Sequence, residues 1–167
     1  MEQSLSEHVP HVFRLALRLC RDRLLAEDLT QDTMLKAIEK RDQLEEQDRL
    51  RVWLFRILAN TWKDHVRRET IRRTEPLLSE PTAPVRQTEE HKDELQLALD
   101  AMNSLPEKQR AVLHLLAVEQ LSLNEIGEVL GMKPATARVN LFHARQAMKR
   151  KLPQFSDPKR TTTKPLR

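Results

Sequence analysis

The stretch from Ser122 to Leu152 constrains this chain most, because it reads as helix, tight turn, helix. Ser122, with Glu125 three residues on, carries the signature of a capping box. Leu123, Ile126 and Leu130 then recur at helical spacing. Gly131 follows, where a left-handed residue usually closes a helix, and Pro134 stands where a second helix would start. Ala137, Leu141, Ala144 and Met148 form the inward stripe of that second helix. Its other faces carry Lys133, Arg138, Arg145, Lys149, Arg150 and Lys151, and no Asp or Glu occurs between Lys133 and Lys151. Two short helices at a glycine-containing turn, the second basic, make the helix-turn-helix pattern of DNA readers. An ordinary helical hairpin with a solvated basic face is the blander alternative.

Composition extends the helical reading to the whole chain. Two Gly and no Tyr, against many Leu, Glu, Arg and Gln, favour an all-α fold. At 167 residues there is room for one domain or two small ones. A net charge of +4 permits a nucleic-acid partner without demanding one. Cys20 is the only cysteine, which excludes an intramolecular disulfide and a Cys-rich zinc site and favours a buried structural thiol over a redox sensor. No apolar run approaches the ~20 residues of a membrane span, and the start, with Glu2 and Glu7, has no signal-peptide core. A cytoplasmic location, without membrane insertion, is expected. Two glycines cannot make a phosphate loop, and no histidine pair has i, i+4 spacing. No catalytic set, cofactor or metal site is expected.

In chain order, a first helix is predicted from Pro10 to Cys20 and a second from about Arg23 to Arg41, capped by Asp22. In the second, Ala26, Leu29, Thr30, Thr33, Met34 and Ala37 face the core, while Glu27, Asp28, Gln31 and Asp32 lie opposite. Those acids read either as partners of the helix macrodipole or as a docking patch for a basic partner. The polar run from Asp42 to Asp48 reads as a loop, with Asp48 as cap of a third helix from about Arg49 to Arg73. Leu54, Leu58, Thr61 and His65 line one side of that helix, near Trp53, Ile57 and Trp62. Its second half adds Asn60 and Lys63, Arg67, Arg68, Arg72 and Arg73, a set suited to stacking on unpaired bases and holding phosphates. Solvated arginines over core tryptophans would be the structural explanation. The run from Thr74 to Thr88, with Pro76, Pro81 and Pro84, is a stiff linker. A fourth helix follows from Glu89 to Asn103, with Leu95, Ala98, Leu99 and Met102 inward. A fifth starts at Ser104-Leu105-Pro106 and is strongly apolar through Val112, Leu113, Leu115 and Leu116. Beyond Leu152, a basic tail broken by proline is expected to be disordered.

Two blocks then resemble one family. Ala26 to Ile38 (AEDLTQDTMLKAI) with Val52 to Arg68 (VWLFRILANTWKDHVRR) is similar to the second conserved region of bacterial sigma-70 factors. Leu105 to Leu116 (LPEKQRAVLHLL) with the helix-turn-helix resembles their fourth region. Nothing long enough for other sigma regions lies between, an economy similar to the extracytoplasmic-function (ECF, group IV) type. The resemblance implies two small helical domains: region 2 over 1–73, a linker over 74–88, region 4 over 89–153, and a tail over 154–167.

It also implies a transcription initiation factor. Asp28, Gln31 and Asp32 would dock on the β′ clamp helices of core RNA polymerase, and the fourth region on its β flap. The segment Gln43 to Asp48 would capture a flipped base of the −10 element. Asn60, Trp62, Lys63, Asp64, Arg67 and Arg68 would fall around the strand-binding helix. The helix-turn-helix would read the −35 element through Lys133, Thr136, Arg138, Val139, His143 and Arg145. The family often has Ser at Lys133, Gly at Ala135 and Gln120, and Arg or Lys at Asn140 and His143. An anti-sigma factor is usual for the family, and association with the nucleoid follows from binding polymerase. The alternative is a stand-alone helix-turn-helix regulator. The free protein is expected to bind promoter duplex weakly, with a linker that lets its halves move independently.

Overall fold

The computed structural model describes residues 2–44, 46–74 and 94–152, and among these it contains seven α-helices and no strand. They are α1 (Glu2–Cys20), α2 (Arg23–Glu39), α3 (Leu50–Thr74), α4 (Glu94–Asn103), α5 (Glu107–Ala117), α6 (Leu123–Leu130) and α7 (Pro134–Lys151). Two short 3-10 turns, Arg41–Gln43 and Gln47–Arg49, join α2 to α3. The expected linker beyond Thr74, the start of the fourth helix at Glu89 and the expected disordered tail lie outside the described residues.

The local signals set most of these boundaries. The Asp22 carboxylate accepts from the Leu25 N–H at 2.9 Å and caps α2. At α6 the box is complete: the Ser122 N–H donates to Glu125 Oε2 at 2.7 Å, and the Glu125 N–H donates back to Ser122 Oγ at 3.3 Å. Gly131 has φ of 65° and closes α6 as expected. Three boundaries differ. α1 starts at Glu2 rather than Pro10, because Leu5 prolongs the buried stripe of Val12, Leu15, Ala16 and Leu19 by two turns. Pro10 therefore sits inside the helix, on its exposed side. Asp48 does not head α3; it lies within the 3-10 turn that feeds the helix. In α4, Leu95 is 67% exposed and Ala101 is buried instead. Leu95, Leu97 and Leu99 alternate around that helix, so no single apolar face could be chosen from spacing.

One apolar cluster runs through both halves. It joins Leu15 and Ala16 of α1, Leu29 of α2 and Leu54, Phe55 and Leu58 of α3 to Val112 and Leu115 of α5, Ile126 of α6 and Leu141 of α7. α5 lies on α1, and α6 lies on α3. In this structure the two halves are thus packed together, where the linker alone had suggested independent motion. The buried hydroxyls of α2 are satisfied within the helix: Thr30 donates to the Ala26 carbonyl and Thr33 to the Leu29 carbonyl, both at 2.6 Å.

The turn of the helix-turn-helix is held by a close approach. A Cβ on Gly127 would lie 2.6 Å from the Met132 carbonyl oxygen, so only glycine fits that position of α6. Gln120 adopts φ of 57° just before α6, which accounts for the family's frequent glycine there.

Candidate nucleic-acid interface

α7 presents its outer face as the sequence suggested. Ala137, Leu141 and Ala144 are buried and Met148 is half-buried. Ala135, Thr136, Arg138, Val139, Phe142, His143 and Arg145 are exposed. Lys133 occupies the N-cap position and makes no capping bond through its side chain. Phe142 is 58% exposed, and the His143 ring meets it edge-on with centroids 5.6 Å apart. Asn140 turns inward: its amide donates to the Thr136 carbonyl at 2.9 Å. Apolar Val139 thus stands on the outer side of α7 with polar Thr136 toward one edge and cationic Arg138 toward the other flank, and no carboxylate occurs between Lys133 and Lys151.

A second basic surface lies on α3. Asn60, Lys63, Arg67 and Arg68 are all exposed, and the first three recur at i, i+3 and i+7. Arg56, which the sequence reading passed over, extends the stripe by one turn. The stripe runs into a cleft of about 220 Å³ lined by Gln43, Leu44, Glu46, Arg49, Val52, Trp53, Arg56 and Glu128. Gln43 therefore sits beside the stripe, although it belongs to the preceding loop. Trp53 is core, 7% exposed. Trp62 is half-buried and stacks on His65, centroids 5.7 Å apart and planes 15° apart, so its ring is already engaged. Its indole N–H is buried without a partner among the described residues. Lys63 donates to the Leu130 carbonyl at 3.0 Å across the seam, and Asp64 holds Arg67 at 3.2 Å.

Asp28, Gln31 and Asp32 are exposed on α2. Leu24, Leu35 and Ile38, 74%, 59% and 48% exposed, recur with Asp28 and Gln31 along one helical face. α2 has no acid in its first turn, and the macrodipole acts only within that turn. The dipole explanation for Asp28 and Asp32 is therefore weak. Neither forms an ion pair among the described residues. Both line a cleft of about 230 Å³ that also receives Arg68 and Arg72.

Between the halves lies a charge cluster that no spacing rule announced. The Glu119 side chain is fully buried. His11 Nδ1 stands 2.7 Å from its Oε2, Arg14 Nη2 3.6 Å from Oε1, Arg51 Nη1 3.9 Å from Oε2 and His114 Nε2 3.6 Å from Oε1. His11 Nδ1 also lies 2.9 Å from Arg14. One nitrogen cannot both donate and accept, so the N–H is assigned to the shorter contact, with the carboxylate. Burial alone would raise the Glu119 carboxyl, but the imidazoles of His114 and His11 outweigh it and hold it down at about 2. Burial pushes His114 below its usual value, toward the neutral form. Both shifts carry the same sign. The unfolded chain binds more protons than the native one below about 6.5 at His114 and below about 4.5 at Glu119. Stability is therefore expected to fall as pH drops through these values, the Glu119 part being lost between about 4.5 and about 2. Urea unfolding midpoints across that range check it: Glu119→Gln should flatten the most acidic part of the profile and lower the midpoint at neutral pH.

Arg110, 3% exposed, is the second buried charge. Its guanidinium donates to the carbonyls of Arg18, Leu19 at 3.1 Å and Leu105 at 2.6 Å, so it caps the C-terminal end of α1 from α5. Cys20 is half-buried; its thiol donates to the Asp22 carbonyl at 3.1 Å, and burial raises its pKa, which keeps it protonated and unreactive. No helix of the described residues is long and apolar enough to cross a membrane.

Comparison with known proteins agrees with this geometry. Residues 5–71 match the family description "Sigma-70 region 2" and residues 95–148 match "Sigma-70, region 4". The chain belongs to the sigma-70 family of RNA polymerase sigma factors, proteins that direct promoter-specific transcription and are not enzymes. Within that family it is of the ECF type. It is 34% identical over 164 residues to the ECF RNA polymerase sigma factor SigE of Mycolicibacterium smegmatis, covering 93% of this chain and 62% of that one. The corresponding figures for the ECF sigma factor SigM of Bacillus subtilis are 28% over 144 residues, 83% and 86%. Among solved structures, the sigma factor RpoE in complex with the anti-sigma factor NepR from Bartonella quintana aligns with a TM-score of 0.74 at 27% identity, over 91% of this chain and 96% of that one. A stand-alone regulator would account for the rear half only, whereas the match over 5–71 covers α1 to α3. As a sigma factor, the protein has core RNA polymerase and promoter DNA as its partners.

Proposed function

We propose that three surfaces divide the work of this sigma factor. The α2 face of Asp28, Gln31 and Asp32, flanked by exposed leucines, docks on the β′ clamp helices of core polymerase, and the rear half meets the β flap. The α3 stripe with the Gln43 cleft takes the −10 element as a single strand: Asn60, Lys63, Arg67 and Arg68 hold its backbone and the cleft seats one unstacked base. Trp62 contributes to that surface when its stack on His65 opens. The outer face of α7 reads the −35 duplex through Thr136, Arg138, Val139 and His143, with Lys133 and Arg145 toward the phosphates. The observation that carries this reading is that one chain presents two separate cationic surfaces, each beside exposed non-ionic side chains suited to bases, on different helices. The protein catalyses nothing; stacking on captured bases, worth roughly 1–3 kcal/mol each, favours the melted state. A cytoplasmic location at the nucleoid, and an anti-sigma factor as a further partner, the kind of protein bound in the Bartonella complex, go with it.

Transcription in vitro with core polymerase, followed by sequencing of transcript starts, tests the function as a whole: specific starts that require this protein are expected. The −35 assignment has its own test. Val139 and Ala135 offer apolar contact to thymine methyls in the major groove, and Arg138 is the exposed cation nearest to them in sequence. Arg138→Ala should cost about 1–3 kcal/mol and relax one promoter position if Arg138 reads a base. If it holds phosphate only, all sequences weaken alike and the salt slope falls by about one. Binding-site selection with both proteins at two salt concentrations separates these results, and no change in either would remove α7 from the groove.

A further inference from the structure

The cleft beside Gln43 already holds an anion supplied by the protein itself. Glu128 of α6 reaches across the seam, with Oε2 2.5 Å from Arg49 Nη2 and Oε1 3.5 Å from Arg56 Nη1. Arg49 closes the second 3-10 turn and Arg56 stands on α3, so two cations from different elements converge on one carboxylate. Both guanidiniums are nearly half exposed. Exposed pairs of this kind add little stability, so the fold does not need them. Two arginines aimed at a single doubly accepting anion are, however, the arrangement that holds a phosphate. Arg56 belongs to the stripe of Asn60, Lys63 and Arg67, and Lys63 is occupied in the same manner by the Leu130 carbonyl. Acceptors on one end of α6 therefore fill donors on the −10 surface at two successive places.

We propose that Arg49 and Arg56 are phosphate-binding residues of the −10 surface, and that Glu128 is an internal stand-in for the phosphate, seated there while the two halves are packed together. The inference rests on the assignment of the −10 strand to α3. α6 reaches this place because it packs on α3, in a seam where Glu119 meets His11, Arg14 and Arg51 and Arg110 meets the end of α1. DNA must displace Glu128, so the free protein binds a strand with an affinity reduced by the fraction of molecules in which the cleft is open.

The test uses the full-length protein and a short fluorescent single-stranded DNA of mixed sequence, titrated at several salt concentrations. Glu128→Gln removes the charge from an exposed position, and circular dichroism should show an unchanged fold. The variant should bind the strand about tenfold tighter than wild type, and its affinity should fall more steeply with salt, because salt weakens the Glu128 pairs that compete with the strand in wild type. Adding Arg49→Ala and Arg56→Ala to Glu128→Gln should abolish both gains. Equal affinity and slope in Glu128→Gln and wild type would overturn the stand-in, and a gain that survives loss of both arginines would overturn their assignment. Transcription with core polymerase keeps the two levels apart. If wild type supports specific starts and the Arg49→Ala, Arg56→Ala protein does so equally, the phosphate sites are wrong while the sigma-factor reading stands. If wild type supports none, that reading itself fails.

Discussion

Arg110→Ala is expected to lower the stability of the whole chain by about 3–5 kcal/mol, the range for breaking a buried charged network. The guanidinium is almost fully buried and satisfies three carbonyls, two of them at the end of α1 and one at Leu105 before α5. Truncation takes the donor away from all three carbonyls, and each buried group left unsatisfied costs about 1–3 kcal/mol. The loss is not local. α1 belongs to the front half and α5 to the rear, so one substitution loosens both the C-terminal cap of α1 and the seam. Urea unfolding should show a midpoint shifted well down, and a lower m value if the halves unfold separately. Arg110→Lys is the informative companion. It keeps the charge but cannot fork toward three acceptors, so it should recover only part of the loss. A change below about 1 kcal/mol for Arg110→Ala would show that the three carbonyls find other donors.

Legibility in the sequence followed the range of the interactions. The capping box at Ser122, the left-handed cap at Gly131 and the cap at Asp22 are contacts over three to five residues, and each appeared as read. The inward stripes of α2 and α7 came from helical period, and the buried residues match them. The exposed candidates at Asp28, Gln31, Asp32, Asn60, Arg67, Thr136, Arg138 and His143 are where amphipathic patterning put them. What stayed hidden depends on partners far along the chain. Arg110 and His114 fall between apolar neighbours in α5 and look like interruptions of the stripe until α1 supplies their surroundings. Glu119 sits in a turn, where an acid is usually solvated, yet three elements close over it. Glu128 and Arg56 each sit on the exposed side of their own helix, and only the approach of α6 to α3 brings them together. Lys63 was read as a DNA contact from its type and neighbours; the structure adds that an intramolecular acceptor holds it first.

The docking face on α2 gives the other large effect. Asp28→Lys with Asp32→Lys should reduce affinity for core polymerase by several kcal/mol, because like charges would then meet a basic partner. At about 1.4 kcal/mol per tenfold, that is more than a hundredfold. The folded state should hardly change. Both residues are exposed and lie outside the first turn of α2. The nearest cost is repulsion from Arg68 and Arg72 across the shared cleft, which solvent and salt screen. Helicity and thermal midpoint of the variant therefore serve as the control, and core binding as the readout. A second variant removes the apolar part alone: Leu35→Ala with Ile38→Ala takes away two exposed side chains of the same face and leaves the acids in place. If the face docks as a unit, this pair also weakens binding, but without the salt dependence that the charge reversal shows. Unchanged affinity in the lysine variant, at low as well as at physiological salt, would leave Asp28 and Asp32 as solubilising residues and move the polymerase contact elsewhere on the front half.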